Sequence, residues 1–160
     1  MKKIHLFIVY LISLVLQLTV VPHLAVAGTS PDLILVLTIA FSFFYEDFNG
    51  IFFGIAFSIL RDICVGPAAG ISAVMLFLIG ISLQFARFAV YRDNKVILFF
   101  VCTMCTAVYY AGGWGLSVLL LQYPISFLVA AAKIPVAIVW NYIVLLGVCH
   151  FARKTDGFTV

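Results

Sequence analysis

Charge is what this sequence has least of. Asp, Glu, Lys and Arg make up 9% of its 160 residues, whereas soluble domains carry about 25%. Apolar residues reach 66%, and the mean hydropathy is +1.26. A soluble fold of this composition would expose large apolar patches, which soluble monomers rarely do. The composition therefore excludes an ordinary water-soluble domain and predicts a membrane protein.

The sequence also lacks the common signatures of catalysis and of nucleic-acid binding. It has no nucleophile beside a base, no glycine-rich phosphate loop, no basic patch and no internal repeat. Cys102 and Cys105 form a C-x-x-C pair, but no acid lies nearby to orient a metal ligand, so we expect both thiols to pack in a core. We therefore expect a non-enzymatic protein with no cofactor, no metal and no nucleic-acid partner.

The few basic residues are arranged in a pattern that indicates topology. Seven of the nine basic residues fall into three short clusters separated by long apolar runs. Juxtamembrane Lys and Arg stay on the cytoplasmic side, so an even number of crossings should separate the clusters, with both termini in the cytoplasm. This predicts a multi-pass membrane protein with a defined orientation. The clusters are Lys2 and Lys3; Arg87, Arg92 and Lys95; and Arg153 and Lys154.

The apolar runs predict an all-α integral membrane protein with six transmembrane helices in a single domain, residues 1–160. Each crossing needs about 20 residues, so six crossings leave only short loops and tails. Proline and glycine mark the predicted turns, among them Pro22, Pro31 and Gln122-Tyr123-Pro124. The predicted spans are residues 4–21, 33–45, 48–65, 71–88, 96–119 and 125–151.

The first span has an alternative interpretation as a cleaved signal peptide. Ala25-Val26-Ala27 before Gly28 resembles a small-residue cleavage site after a basic start and an apolar run. Signal peptides have apolar cores of about 7 to 15 residues, whereas the run 4–21 has 18. We therefore expect a retained span.

Arg61 and Lys133 lie outside the basic clusters. A charge inside the bilayer costs on the order of 3 kcal/mol unless it is paired or hydrated. Asp32 and Arg61 are equally far from the predicted turn at Glu46-Asp47, so the two side chains should lie at similar depth. Two acids and two bases would make a neutral layer, which either joins the helices or binds a ligand, proton or partner. The alternative is that the charged side chains extend separately to the outer interface. The predicted layer comprises Gln17, Asp32, Arg61, Asp62 and Lys133.

Small or polar residues recur at every fourth position of the third predicted span. Such a ridge lets helices approach closely in lipid, so Asp62 at its end should face protein. Glycines follow in the connection to span four. The predicted packing residues are Gly50, Gly54, Ser58, Gly66 and Gly70.

These residues resemble the MreD family of bacterial rod shape-determining membrane proteins. Over about residues 11–80, the resemblance rests on four elements. They are Leu16-Gln17-Leu18; Pro31-Asp32-Leu33; Gly50 with Gly54; and Asp62 followed by Gly66 and Gly70. The chain departs from the family pattern at Ser58, where a glycine is expected, and at Arg61, where a neutral residue is expected. If Arg61 neutralises Asp62, the latter would not act as an exposed functional acid.

The resemblance implies a fold similar to the six-helix substrate-binding subunits of energy-coupling-factor vitamin transporters. It also implies a scaffold subunit of the cell-wall elongation complex, the assembly that extends peptidoglycan. The implied location is the bacterial cytoplasmic (inner) membrane. The implied partners are a single-span MreC-like protein, an MreB-type filament reached directly or indirectly, and the elongation glycosyltransferase and transpeptidase. The alternative is a solute-binding membrane subunit of a vitamin-type transporter, with the polar layer as its ligand site.

Overall fold

The computed structural model describes residues 3–26, 28–45, 47–65, 70–86, 95–121 and 126–156. These residues form six α-helices and one short 3-10 helix, Val21–Leu24. An all-α fold is therefore confirmed, and each α-helix lies within a few residues of a predicted span. The helices are α1 Lys3–Thr19, α2 Leu33–Phe44, α3 Asn49–Val65, α4 Ile71–Ala86, α5 Lys95–Leu121 and α6 Phe127–Asp156.

Helix α2 is the centre of the fold. Every residue from Ile34 to Phe43 is buried, and α2 packs against each of the other five α-helices. A helix that is apolar on all sides requires such burial. The surrounding helices follow the order α1, α3, α4, α5 and α6, each packed against the next. With 12 residues, α2 is about 18 Å long, well short of a hydrocarbon core of about 30 Å.

Two glycines let α3 approach α2 closely. A Cβ added at Gly50 would lie 2.5 Å from the Cβ of Phe41, and one added at Gly54 would overlap the side chain of Thr38. Ser58, one turn further along the same ridge, is fully buried and donates from Oγ to the Ile55 carbonyl at 2.8 Å. The two glycines of the ridge predicted from the sequence therefore pack against α2, and Ser58 is buried on the same ridge.

The other two predicted packing glycines follow α3. Gly70 has a φ of +102°, a left-handed conformation that side chains rarely adopt. No atom lies within 4 Å of a Cβ added there, so Gly70 serves the turn into α4 rather than a close contact between helices. Gly66 lies outside the described residues.

Helix α1 packs against other helices of the bundle. Tyr10 is fully buried, donates its hydroxyl to the Gly50 carbonyl at 2.9 Å and lies 3.3 Å from the hydroxyl of Thr38. These contacts join α1 to both α2 and α3, which favours a retained first helix. Ala27, at the end of the candidate cleavage motif, lies outside the described residues.

Within the described part of the chain, two helices are long and apolar enough to cross a membrane. They are the segments Lys95–Leu120 of α5 and Phe127–Phe151 of α6, judged by length and composition. Helices α1, α2 and α4 are apolar but shorter. The six crossings and the orientation therefore stay predictions. Lys2, Arg87, Arg92 and the predicted turn at Gln122-Tyr123-Pro124 lie outside the described residues.

Candidate functional site: a polar layer joining six helices

All six α-helices contribute to one cluster of polar groups, termed the polar layer. It lies where α2 and α4 begin and where α1 and α3 approach their ends, and this end of the bundle is termed the outer end. Helices α5 and α6 contribute from the middle of their lengths. The members are Gln17, Asp32, Arg61, Asp62, Ser72, Thr106, Tyr109 and Asn141.

Arg61 is the central group of the polar layer. Its Nη1 donates to Asp32 Oδ2 at 2.6 Å, and its Nη2 donates to Asp62 Oδ1 at 3.2 Å and to the Tyr109 hydroxyl at 2.7 Å. The side chains of Arg61, Asp32 and Asp62 are only 13%, 9% and 8% exposed. One guanidinium thus links α2, α3 and α5. The contact with Asp32 is the one that equal spacing from the α2–α3 turn predicted.

Both carboxylates also lie at the start of a helix. Asp32 caps α2, accepting from the Leu35 backbone N–H at 3.0 Å. Asp62 Oδ2 accepts from the backbone N–H groups of Gly70 and Ser72, at 3.3 Å and 3.1 Å, where α4 begins. A helix N-terminus carries roughly half a positive charge. Two such ends and the guanidinium therefore balance the two carboxylates.

This balance corrects the predicted membership of the layer. Lys133 was expected to supply the second base, but its side chain is exposed, and the ion pairs among the described residues join Arg61 to Asp32 and to Asp62. The partial positive charges at the starts of α2 and α4 balance the second carboxylate, which is the role that was expected of the Lys133 ammonium. Lys133 therefore lies outside the polar layer.

Gln17 attaches α1 to the start of α2. Its amide nitrogen donates to the Pro31 carbonyl at 3.1 Å, and its amide oxygen accepts from the Leu33 N–H at 2.8 Å. The N–H of Leu33 belongs to the first turn of α2 and has no partner within the helix. Gln17 thus lies in the layer as predicted, but it bonds backbone groups rather than ions.

Sequence reasoning missed four members, of which Asn141 connects the most helices. Its Oδ1 accepts from the Asp32 backbone N–H at 2.9 Å, and its Nδ2 donates to Thr106 Oγ1 at 3.3 Å. Asn141 is fully buried. The sequence feature that could have indicated Asn141 is a single amide in a long apolar run. For Thr106 and Tyr109 it is their spacing, since residues three apart lie on one face of α5.

Three of the four cysteines lie in the core, whereas Cys64 is exposed. Cys102, Cys105 and Cys149 are buried in the hydrophobic core, and none of the three forms a disulfide. Among the described residues, no group of three or more His, Cys, Asp or Glu side chains is placed to hold a metal ion. The contacts described within the site are ion pairs and hydrogen bonds between helices.

Comparisons with protein-family models, with curated proteins and with solved structures found no match to this chain. Any functional assignment therefore depends on the residues themselves. The features that best indicate a function are the motif residues in their order along the sequence, the polar layer and the apolar surface of the helices.

Proposed function

We propose that this chain is a non-enzymatic scaffold subunit of the bacterial cell-wall elongation complex, of the MreD type. In this proposal the six helices cross the cytoplasmic membrane with both termini inside, and their lipid-embedded faces bind partner helices. The partners are an MreC-like single-span protein, the wall-synthesis enzymes and, directly or indirectly, an MreB-type filament.

A membrane location is supported by the surface as well as by the two long apolar helices. Large apolar side chains are exposed along α1, α3, α5 and α6, including Ile12, Phe52, Phe100 and Val139, which are 54%, 69%, 60% and 58% exposed. In water such a surface would be an association hazard, whereas in lipid it is the ordinary exterior of a helical bundle. The separation of the basic clusters by apolar runs supports the orientation.

The internal pairing of the polar layer is the observation that carries the scaffold function. Arg61, Asp32 and Asp62 bond to one another and to helix ends. A ligand site needs polar groups directed at the ligand, whereas these groups are directed at each other. Buried polar networks whose members pair internally fix the relative positions of the helices that carry them. A rigid bundle with an apolar exterior is suited to holding other membrane proteins in place.

The test is affinity purification of the tagged chain from its own host in mild detergent. We expect recovery of an MreC-like protein and wall-synthesis enzymes, relative to an unrelated multi-pass protein with the same tag. Recovery of an ATPase module and a retained small molecule would instead identify a vitamin-type transporter subunit, and the scaffold proposal would be abandoned.

Asp62→Ala tests whether the polar layer matters for this role. The substitution removes an ion pair with Arg61 and the acceptor for two N–H groups at the start of α4. We expect weaker folding or weaker partner association. Phe52→Ala, on the exposed face of the same helix, is the matched control. Full recovery of the MreC-like partner by the Asp62 variant, at unchanged membrane levels of both proteins, would count against the proposal.

A further inference from the structure

The outer ends of α5 and α6 extend beyond the part of the bundle that covers them. On α5, Gly112 still packs against Met75 of α4, and on α6, Ala137 is fully buried. Beyond these points, residues 113–120 and 126–136 include no buried residue. The two segments contact each other, with the rings of Trp114 and Phe127 5.0 Å apart. Residues 113–120 and 127–136 are termed the outer hairpin.

The surface of the outer hairpin permits close approach by another backbone. A Cβ added at Gly113 or at Gly115 would meet no atom within 4 Å. Residues 130–132 of α6 are three consecutive alanines. Small residues at a helix surface are typical of helix–helix contacts in membranes, because packing rather than apolar burial drives association in lipid.

Lys133 gives this surface its charge. It is the single charged residue between Lys95 and Arg153, and its side chain is exposed. It lies six residues inside the start of α6, which places its Cα about 9 Å from the helix end. An ammonium at such a position is stabilised either by reaching the headgroup region or by pairing with an anionic group.

The described acidic side chains at the outer end do not supply that anionic group, because Asp32 and Asp62 are both engaged in the polar layer at the starts of α2 and α4. In the sequence, the remaining four acidic residues follow α2, follow α4 or end α6. They are Glu46, Asp47, Asp93 and Asp156. Since both described carboxylates at the outer end are paired, charge complementarity favours a different protein over a second copy of the chain at Lys133.

We infer that the outer hairpin docks a transmembrane helix of a partner protein that carries an acidic residue in the outer third of its span, paired with Lys133. This inference rests on the proposed function, since it assigns the surface through which a scaffold would hold a single-span partner. The small residues of the hairpin set how closely the helix approaches, and the ion pair selects its register. The polar layer keeps the base of the hairpin fixed on α2.

Site-specific photocrosslinking of the full-length chain, co-expressed with the MreC-like partner of the same organism, tests this surface. A photoreactive phenylalanine analogue replaces Leu120 or Ala132 in the outer hairpin, or Phe52 on α3 as the matched exposed control. We expect about tenfold more partner crosslinking from the hairpin positions than from Phe52. Equal yields from all three positions, while the partner still co-purifies, would overturn the docking surface and leave the scaffold function intact.

Charge variants test the pairing. Lys133→Glu should reduce hairpin crosslinking about tenfold, Lys133→Arg should leave it within about twofold, and changing the partner's acidic residue to Lys should restore the Glu variant. A partner without Asp or Glu in the outer third of its span would overturn the inference. So would loss of bound phospholipid in Lys133→Glu, measured by native mass spectrometry, with partner crosslinking unchanged. Failure of the partner to co-purify with the wild-type chain would overturn both proposals.

Discussion

Replacing Arg61 with Met is the most direct perturbation of the polar layer. Arg61→Met removes two ion-pair contacts and the hydrogen bond to Tyr109, while the apolar stem is retained. Breaking a buried ion pair by deleting one partner costs about 3–5 kcal/mol, because a charge is left uncompensated. Here Asp32 and Asp62 keep their backbone donors at the starts of α2 and α4. We therefore expect a loss near the lower limit, about 3 kcal/mol.

Thermal unfolding in mild detergent, followed by loss of the monodisperse elution peak, measures this loss. For a chain of 160 residues, about 3 kcal/mol corresponds to a fall of about 6–12 °C in Tm. Lys133→Met is the matched control, since it makes the same kind of change at an exposed position outside the layer, and it should shift Tm little. Equal melting of the two variants would refute the reasoning that Arg61 holds the helices together.

Two further variants separate charge from geometry. Arg61→Lys keeps the charge but lacks the planar fork that reaches three oxygens, so we expect a loss of about 1–2 kcal/mol. Combining Arg61→Met with Asp32→Asn removes a carboxylate that the first change leaves unpaired. The double variant should be more stable than the sum of the two single effects by about 1 kcal/mol or more. Strict additivity would mean that the 2.6 Å contact contributes no coupling.

Three other predictions use the same melting assay or a mass measurement. Gly54→Ala should lower stability by about 1–3 kcal/mol because the new methyl group overlaps Thr38, whereas Gly113→Ala, in open space, should be neutral or slightly stabilising. Asn141→Leu should cost about 1–2 kcal/mol, since it leaves the buried Asp32 N–H without its acceptor; a wild-type Tm would contradict this. The intact mass of the mature protein should include α1, and a mass lacking it would restore the signal-peptide interpretation.

Position along a helix was predictable from the sequence, whereas the direction of a side chain around the helix was not. Asp32 and Arg61 lie on two antiparallel helices joined by a tight turn, so equal counts from the turn give equal depth. Counting residues in the same way predicted a similar depth for Lys133, but it did not consider the direction of the Lys133 side chain around the axis of α6. Lys133 is eight residues from Asn141, which turns it by about 80° relative to that inward-facing amide. Depth alone therefore did not bring it into the layer.

Partial charges were the other quantity that residue counting omitted. The predicted neutral layer needed two bases because only full charges were counted. In the structure the N–H groups that begin α2 and α4 meet Asp32 and Asp62 directly. Asn141 was also missed, because no charge or proline near it marked its depth, although its amide joins α6 to both α2 and α5.

The position of the polar layer accounts for the shortness of α2. Under the proposed topology, a helix of about 18 Å begins inside the bilayer, where an exposed N–H group would cost several kcal/mol. Non-helical backbone at that depth is tolerated only where protein surrounds it, and Pro31 and Asp32 are both buried. Gln17, Asn141 and the Asp32 side chain bond the N–H groups of residues 33, 32 and 35. The layer therefore allows a short, predominantly apolar helix to occupy the centre of the bundle. The same groups cannot be released to a ligand without exposing that helix end to lipid.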